Sequence, residues 1–477
     1  MDKCDIGIYG LGIMGQNLAI NFANQGFAVS VFNRMEAGEE NVVDSFIANR
    51  CQGKKIIGAS NIKEFINFIK TPRKIIVLVK AGTVVDEVID KLISFLEVDD
   101  IIIDGSNSHY RDTARRLPQL ESRGFLFVGC GISGGGEGAL NGPSIMPGGS
   151  FRAWEKIMSL LQTVAAKCED GDPCCDWIGP EGSGHFVKMV HNGIEYALMQ
   201  ILAESYDVMK RMLSMSTDEI NSVVSTWNEG VLHSYLLGIT NDILKMIDKD
   251  GRPLVENILD CAEQKGTGKD ISISSLDLDV PATAINESIN ARFISCMINE
   301  RRYASKEFIM PEQFADDKQV LLKALHDAIY CSQFIVYAQG FLLLVRGSVE
   351  YNWNVDLTKI ARIWKNGCII QSDILNDIAA TLKRRTGLEN ILLEPYFVEI
   401  INRKQINWRH TIITAIQHGI PIPAMSSALT YFDSFRSERL PANLIQAQRD
   451  YFGAHGFERL DAPRGVVFHI RKNGVTP

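Results

Sequence analysis

The segment Ile6-Gly7-Ile8-Tyr9-Gly10-Leu11-Gly12-Ile13-Met14-Gly15 decides the fold of the first part of this chain. A short β-rich run leads directly into a Gly-x-Gly-x-x-Gly turn, and a helical pattern follows from Gln16 to Gln25. In that setting the glycines allow a tight turn and let a pyrophosphate approach the N terminus of the helix. We therefore predict a dinucleotide site formed by Gly10, Leu11, Gly12, Ile13, Met14 and Gly15.

Further β-rich runs follow at intervals that leave room for crossover helices. These runs are Val29 to Phe32, Ile75 to Val79, Ile101 to Asp104 and Phe125 to Val128. Such alternation predicts an α/β Rossmann-type sheet that is doubly wound and mostly parallel.

The strand signals fade after residue 178, and long helical patterns dominate to about Pro441. A chain of 477 residues is too long for a single hydrophobic core. We therefore predict a Rossmann-type domain over residues 1–178, a large all-α domain over 179–440 and a short C-terminal tail over 441–477.

The helical part contains an internal similarity at an offset of roughly 135 residues. Its first copy is His191-Asn192-Gly193-Ile194 with Trp227-Asn228-Glu229-Gly230, and its second is His326-Asp327-Ala328-Ile329 with Trp364-Lys365-Asn366-Gly367. Lys323 takes the place of Lys188 in the second copy, whereas Tyr330 replaces Glu195. We interpret the pattern as a duplicated helical bundle whose second copy lacks the acid and is structural. Chance matching of short patterns is the alternative.

Composition narrows the class of protein. A net charge of -8 argues against a nucleic-acid or anionic-membrane surface. The ten cysteines form no CxxC pair and have no His or Cys companions at zinc-ligand spacing, which indicates reduced thiols and predicts no metal site. We find no signal-peptide pattern and no apolar run near the length of a membrane span, so we expect a soluble, cytoplasmic protein.

The end of the second strand indicates which dinucleotide is bound. It reads Val31-Phe32-Asn33-Arg34, where an NAD enzyme usually has Asp or Glu for the ribose hydroxyls. An arginine pairs with a 2′-phosphate instead, so we predict NADP, with an exposed surface arginine as the alternative. Two later strand ends, Val79-Lys80-Ala81-Gly82 and Asp104-Gly105-Ser106-Asn107, should meet the same cleft.

Residues 184–196, Gly-His-Phe-Val-Lys-Met-Val-His-Asn-Gly-Ile-Glu-Tyr, predict a helix with a polar stripe and an apolar back. The stripe spans roughly 140° of arc, and its members are Lys188, His191, Asn192, Glu195 and Tyr196. It is either a solvated face with a Lys/Glu pair or a catalytic face with a general base and a general acid.

Several other segments are suited to an anion. One is the glycine-rich loop 131–136, whose backbone N–H groups can hold a carboxylate. The others are the loop Gln264-Lys265-Gly266-Thr267-Gly268-Lys269, Arg292 in a helical pattern, and a short C-terminal helix with Arg449 and His455. Taken alone, the loop 131–136 is equally typical of a flexible surface turn, and each of the other three is more often a surface feature than a site.

Nearly the whole chain resembles the 6-phosphogluconate dehydrogenase family, the decarboxylating enzymes of the pentose phosphate pathway. The resemblance is carried by GLGIMGQNL (10–18), DGSNSHYRDT (104–113), SGGGEGA (133–139), GPSIMPGG (142–149), GHFVKMVHNGIEY (184–196), QKGTGK (264–269) and LPANLIQAQRDYFGAH (440–455). It implies NADP-dependent oxidative decarboxylation of 6-phosphogluconate, with pentose shunt and gluconate utilization as the metabolic setting.

The resemblance also implies roles for individual residues. Lys188 matches the family's general base and Glu195 its general acid. Positions that hold the sugar acid match Asn107, Ser133, Gly134, Gly135, His191 and Asn192. The phosphate-end ligands match Tyr196, Lys265, Thr267 and Arg292, and a homodimer partner contributes Arg449 and His455. The NADP site matches the glycine loop with Asn33, Arg34, Met35, Val79, Lys80, Ala81 and Asn107.

Three departures from the family pattern stand out. Met35 takes a position that commonly holds Thr, which removes one hydroxyl contact to the 2′-phosphate. Asp270 follows the KGTGK loop in place of Trp, and the tail from Phe468 to Pro477 lacks the usual Trp and Gly-rich ending. We therefore expect no cofactor contacts from the tail.

The implied mechanism sets a condition on Lys188. A general base must be neutral, and lowering a lysine pKa from ~10.4 to near 7 corresponds to about 4 kcal/mol. Burial and neighbouring positive charge would have to supply this energy, with cofactor binding as a further contribution. Two rival hypotheses remain. The first is a plain β-hydroxyacid dehydrogenase similar to 3-hydroxyisobutyrate dehydrogenase, which would not be expected to have the QKGTGK loop or the Arg449 segment. The second is a non-catalytic NADP-binding scaffold.

Overall fold

The computed structural model describes residues 3–34, 38–263, 266–310, 317–384, 390–471 and 474–476. The chain forms two compact units, Met1–Ala428 and Leu429–Pro477. We describe each unit separately.

The first unit begins with a seven-stranded sheet in the order β3-β2-β1-β4-β5-β6-β7. Neighbouring strands are parallel except for the antiparallel pair β6 and β7. The strands are β1 (Ile6–Tyr9), β2 (Val29–Phe32), β3 (Ile56–Gly58), β4 (Lys74–Val77), β5 (Ile101–Asp104), β6 (Leu126–Ile132) and β7 (Ile145–Gly149).

Helices cover both faces of the sheet. They are α1 (Ile13–Asn24), α2 (Val42–Arg50), α3 (Ile62–Asn67), α4 (Thr83–Ile93), α5 (Tyr110–Glu121), α6 (Gly135–Asn141) and α7 (Phe151–Val164). Successive residues of β5 show why the strand is apolar throughout. Ile101 and Ile103 join the core on one face, whereas Ile102 joins the core on the other. A strand buried on both faces has no polar alternation.

The predicted fold class is confirmed, with differences at some strand boundaries. Two predicted strands shift in extent: Ile75 to Val79 is observed as Lys74–Val77, and Phe125 to Val128 as Leu126–Ile132. The sequence analysis missed β3 and β7. The first is only three half-buried residues long, and the second contains Pro147 and two glycines, which are typical of a turn.

The rest of the unit is helical. It comprises α8 (Ser183–Asp207) with a π-helical turn (Val208–Met212), α9 (Thr217–Asn228), α10 (Tyr235–Leu244), α11 (Leu254–Asn257), α12 (Thr267–Asp277), α13 (Thr283–Cys296), α14 (Ile298–Glu307), α15 (Lys318–Glu350), α16 (Leu357–Ile363), α17 (Asp373–Arg384), a 3-10 turn (Ile391–Leu393), α18 (Pro395–Gln417) and α19 (Pro423–Phe435), which continues into the second unit. The N-terminal half of α8 packs on β6 and β7, and the helix also packs against α12, α13 and α15.

Helix α15 corrects one expectation. Its 33 residues include a window of mean hydropathy 1.6, so by length and composition this helix could span a membrane. The sequence prediction that no apolar run approaches that length is therefore wrong. Within the protein, 89% of the window is buried, as in the core helix of a soluble domain. Its apolar surface is covered by α8 and α18.

Reciprocal contacts support the predicted duplication of the helical bundle. His191 of the first copy packs edge-on against Trp364 of the second, with ring centroids 5.7 Å apart. His326 of the second copy packs in the same way against Trp227 of the first, at 5.9 Å. The backbone N–H of Tyr235 donates to Gln371 O, and that of Asp373 donates to His233 O. Each copy therefore completes the other.

The second unit contains α20 (Ala442–Gly453) and a hairpin of β8 (His469–Arg471) and β9 (Gly474–Thr476). The buried carboxylate of Asp450 joins these parts. It accepts hydrogen bonds from the backbone N–H groups of Gly456, at 2.8 Å, and Ile470, at 2.6 Å. It also contacts the His469 ring at 2.8 Å. Asp450 therefore ties the hairpin to the helix that carries Arg449.

Candidate active site

A cavity of about 560 Å³ lies where the carboxyl edge of the sheet meets α8 and α12. Its walls include eleven residues that the sequence analysis selected, drawn from all three groups of predicted site residues. They are Met14, Val79, Asn107, Ser133, Gly134, Gly135, Lys188, Asn192, Glu195, Tyr196 and Thr267. The polar stripe of residues 184–196 therefore faces a cavity and is not a solvated face.

Lys188 is buried because α8 lies directly on β6. A Cβ atom on Gly131 would lie 2.4 Å from the Lys188 Cβ, so the strand needs glycine at this point. The Lys188 amine donates a hydrogen bond of 2.6 Å to Asn192 Oδ1 and lies 3.4 Å from His191 Nδ1. Burial lowers the pKa of Lys188, and the nearby Glu195 opposes this effect.

His191 connects Lys188 to the glycine-rich loop. Its Nε2 lies 3.0 Å from Ser133 Oγ, and its ring packs against Trp364. Burial, reinforced by the neighbouring Lys188, lowers the pKa of His191 well below its ordinary value. A neutral ring that accepts from the amine at Nδ1 would donate from Nε2 to Ser133. His191 is thus placed to orient Lys188 without adding charge.

Glu195 lies two helical turns beyond Lys188, with only 18% of its side chain exposed. One of its oxygens is 3.6 Å from His191 Nδ1. Burial raises the pKa of Glu195, against the opposing effects of Lys188 and Arg292. Burial therefore shifts Lys188 towards its neutral form and Glu195 towards its protonated form, which are the forms needed for a base and an acid in one reaction.

Three groups converge at the α12 end of the cavity. The hydroxyl groups of Tyr196 and Thr267 are 3.3 Å apart. The Arg292 guanidinium lies over the Tyr196 ring, 4.0 Å from its centroid, and donates to Glu263 O at 3.1 Å. A guanidinium with two adjacent hydroxyl groups suits a phosphate. Lys265, predicted for the same role, lies outside the described residues.

The glycine turn leaves room for a pyrophosphate. Gly10 has φ +105°, and a Cβ there would lie 2.2 Å from Leu78 O, whereas a Cβ on Gly12 would meet no atom within 4 Å. No side chain caps the N terminus of α1, which begins at Ile13. The open approach and the helix N terminus fit a dinucleotide.

The predicted 2′-phosphate ligands lie beside an acid. Asn33 accepts a hydrogen bond of 2.9 Å from Leu11 N and donates one of 3.0 Å to Glu39. Arg34 Nε lies 3.5 Å from the same Glu39 oxygen. Met35, also predicted to contact the cofactor, lies outside the described residues.

The loop after β5 is held by buried charge. Arg116 Nη1 donates to Asp104 Oδ2 at 3.2 Å, and the Ser108 hydroxyl donates to the same oxygen at 2.7 Å. This arrangement positions Asn107 in the cavity wall. Lys80 and Ala81, predicted at the end of the preceding strand, do not line the cavity, although their neighbour Val79 does.

Two predicted site residues lie in the second unit. Arg449 and His455 belong to the second unit. Arg449 donates to Gln446 within α20 at 3.1 Å, and His455 follows the end of that helix. Among the residues that the structure describes, no group of three or more His, Cys, Asp and Glu is placed to hold a metal ion.

The sequence analysis missed three residues that line the cavity, namely Leu78, Glu263 and Ile369. Gly105, Ser106 and Ile132 also line it, and they belong to the strand end 104–107 and the loop 131–136 that the sequence analysis had selected. Ile369 follows the second Trp364-Lys365-Asn366-Gly367 motif, so the internal repeat could have indicated it. The apolar Leu78 gave no signal, since it resembles an ordinary core residue.

Comparisons with known proteins cover nearly the whole chain. Residues 5–179 match the NAD binding domain of 6-phosphogluconate dehydrogenase, and residues 184–472 match its C-terminal domain. A 6-phosphogluconate dehydrogenase, decarboxylating, from Treponema pallidum is 47% identical over 99% of this chain and 97% of its own length. The corresponding human protein is 48% identical over 99% of this chain and 98% of its own length.

A solved structure is similar throughout. It is Plasmodium falciparum 6-phosphogluconate dehydrogenase, described in its apo form, with its cofactor NADP+ and with its substrate 6-phosphogluconate. Its TM-score is 0.92 at 39% identity, covering 98% of this chain and 99% of that one.

Proposed function

Since this chain belongs to the 6-phosphogluconate dehydrogenase family, we propose that its cavity catalyses NADP-dependent oxidative decarboxylation of 6-phospho-D-gluconate. The products are D-ribulose 5-phosphate, carbon dioxide and NADPH, in the oxidative pentose phosphate pathway. One observation carries the proposal: Lys188 and Glu195 share a cavity that shifts their pKa values in opposite directions.

Lys188 acts as the general base in the first step. As a neutral amine it accepts the proton of the substrate 3-hydroxyl, and NADP supplies the acceptor for the hydride that leaves C3. Asn192 and His191 lie within 3.4 Å of the amine and hold it in position. Once protonated, Lys188 donates to the oxygen of the 3-keto acid, and this polarisation promotes loss of carbon dioxide.

Glu195 acts as the general acid in the last step. Its protonated carboxyl group delivers a proton to C1 of the enediol that decarboxylation leaves. Burial favours the protonated form that this step requires.

For Glu195→Gln we expect hydride transfer to survive better than release of ribulose 5-phosphate, since the amide cannot give up a proton. Transient absorbance of NADPH and a product assay on the same samples separate the two steps. Equal loss of both would contradict the role of Glu195.

The two ends of the substrate are held by different elements. Asn107, Ser133, Gly134 and Gly135 line the cavity beside Lys188 and are placed for the sugar acid. Tyr196, Thr267 and Arg292 bind the phosphate, together with Lys265. The glycine turn holds the pyrophosphate of NADP, and Asn33 and Arg34 hold its 2′-phosphate.

The chain functions as a homodimer in this proposal. Arg449 and His455 of each chain reach the phosphate end of the neighbouring chain's cavity, as the family resemblance implies. Residues 1–178 bind NADP, residues 179–440 bind substrate and form the dimer, and residues 441–477 reach the partner. The enzyme acts in the cytoplasm, where its thiols stay reduced.

One assay tests the function directly. The purified chain is mixed with 6-phosphogluconate and either NADP or NAD at equal concentration, and nicotinamide reduction, carbon dioxide and ribulose 5-phosphate are measured together. We expect reduction with NADP and equal amounts of both products. Reduction without carbon dioxide would favour a plain β-hydroxyacid dehydrogenase. Binding of NADP without reduction would favour a non-catalytic scaffold.

A further inference from the structure

Two cysteines outside the catalytic groups lie in contact near the phosphate end of the cavity. Cys261 precedes the loop that leads into α12, and Cys296 is the last residue of α13. Their sulfur atoms are 3.0 Å apart, and the Cys261 thiol donates to the Cys296 sulfur. A disulfide needs a separation of about 2.05 Å, so a movement of about 1 Å is enough to form one.

These two thiols differ from the other cysteines in their access to solvent. Cys296 is exposed and Cys261 is half-buried, whereas the remaining cysteines are buried. Cys168 and Cys174 form a second close pair, with sulfur atoms 3.5 Å apart, but both are buried. A dissolved oxidant can therefore reach the first pair and not the second.

The surroundings of the two cysteines hold their segments together. The Ala262 N–H donates to the Ser295 hydroxyl at 2.9 Å, beside the two sulfur atoms. Arg301 bridges the same segments, donating to Asp260 Oδ2 at 2.8 Å and to Ser295 O at 2.9 Å. The hydrogen bond to Cys296 raises the pKa of Cys261, and Arg301 opposes that effect. Cys261 is thus the hydrogen-bond donor of the pair, and the exposed Cys296 is the sulfur that a dissolved oxidant meets first.

We propose that Cys261 and Cys296 are an oxidative modification site, and that their disulfide preorganises the substrate-phosphate end of the cavity. The oxidant is a low-molecular-weight disulfide such as glutathione disulfide. The Cys296 thiolate attacks one sulfur and releases one glutathione thiolate. Cys261 then gives up its proton and attacks the Cys296 sulfur, which releases the second glutathione. Two protein thiols are oxidised, and one glutathione disulfide is reduced to two thiols.

The link to substrate binding runs through Arg292. This residue lies one helical turn before Cys296, and it donates to the carbonyl of Glu263, two residues after Cys261. The disulfide therefore fixes the two segments between which Arg292 is held over Tyr196. Fixing a ligand group in place lowers the entropy cost of binding. This consequence rests on the proposed function, whereas formation of the disulfide does not.

The experiment uses the full-length reduced enzyme in buffers of graded glutathione disulfide to glutathione ratio. Each sample is alkylated, digested and searched by mass spectrometry for the peptide linked through Cys261 and Cys296. KM and kcat for 6-phosphogluconate are measured before alkylation. We expect the linked peptide to form before any Cys168–Cys174 link, and KM to fall about threefold while kcat stays nearly constant.

Two variants serve as controls. Cys261→Ser and Cys296→Ser should melt at the temperature of the reduced parent and keep its KM at every ratio. Absence of the linked peptide, or glutathione held on Cys296 without closure, would overturn the modification site. A linked peptide with unchanged KM would overturn the coupling to substrate. Failure of the proposed function is distinguishable, because the reduced enzyme would then show no turnover while the linked peptide still formed.

Discussion

Lys188 and Glu195 owe their opposite pKa shifts to one cause. Burial penalises the charged form of each group, which lowers the pKa of the amine and raises that of the carboxyl group. Their mutual attraction works against both shifts but does not reverse either. Desolvation thus shifts each group towards the protonation state that its proposed role requires.

Replacement of the base tests this view. We expect Lys188→Ala to lower kcat by ~10²- to 10⁴-fold, since a positioned general base contributes about that much. Lys323→Ala is the matched control, because Lys323 holds the equivalent place in the second copy and lines a different cavity. Steady-state assays at saturating substrate check both. A loss of only a few-fold in Lys188→Ala would remove its assignment as the base.

Glu39 is expected to oppose NADP binding. Its carboxylate contacts both Asn33 and Arg34, where the 2′-phosphate should bind. Because the ion pair is partly exposed, we expect Glu39→Gln to improve kcat/KM for NADP by about two- to fivefold, with little change for NAD. Glu40→Gln is the control, since Glu40 accepts a hydrogen bond from Gly38 N instead. An equal change with both cofactors would show that Glu39 does not act at the 2′ position.

At the scale of elements, α8 serves two sites along its length. Its first turns carry Lys188 and Glu195, and its later part carries Glu204, which is buried. The Glu204 carboxyl group accepts hydrogen bonds from the N–H groups of Ala424 and Met425 at the start of α19. The same helix that forms the active site therefore caps another helix.

Glu204 makes stability depend on pH. Burial raises its pKa from 4.5 to about 7, so the folded state binds more protons than the unfolded state between these values. The contribution of Glu204 to the free energy of unfolding is fully present below pH 4.5 and is lost as pH rises through 7. The free energy of unfolding falls by about 3 kcal/mol in total over this range. The melting temperature of the parent should therefore fall more steeply with rising pH over this range than the melting temperature of Glu204→Gln. The exposed Glu229→Gln should follow the parent, and parallel curves for all three would contradict the linkage.

Only the first of the two predicted copies of the helical bundle carries both Lys188 and Glu195. The reciprocal His–Trp contacts show that each copy packs the other in the same way. In the second copy, Asp327 stands where the first has Asn192, and it is paired with Lys404 and hydrogen-bonded by Asn407. Because this carboxylate is already paired and Tyr330 stands in place of Glu195, we interpret the second copy as structural.

At the scale of the whole molecule, the proposed dimer predicts complementation between two inactive chains. Differently tagged Lys188→Ala and Arg449→Ala chains are co-expressed, and the mixed dimer is purified. If Arg449 serves the neighbouring cavity, one of the two sites carries both changes and the other carries neither. We expect about half of the parent's activity in the mixed dimer.

The control for complementation is a mixture of the two separately purified homodimers, assayed at once. It should show no more than the residual activities of the parents. Activity of the mixed dimer at that residual level would mean that Arg449 serves its own chain's cavity, whereas full activity of the Arg449→Ala homodimer would mean that it serves none. Sedimentation of the parent chain gives the assembly state independently of activity.

By itself, the sequence determined the Rossmann-type sheet, the helical second part, the family and most of the residues in the cavity wall. It could do so because those features depend on local order: glycines between a strand and a helix, and a stripe along one helix. Tertiary structure alone decided that α8 lies on β6 with glycine beneath Lys188, and that Cys261 meets Cys296. It also decided that Glu39 lies against Arg34 and that Glu204 caps α19. Burial and proximity arise from contacts between distant segments, and these set the pKa values and partners that the local pattern leaves open.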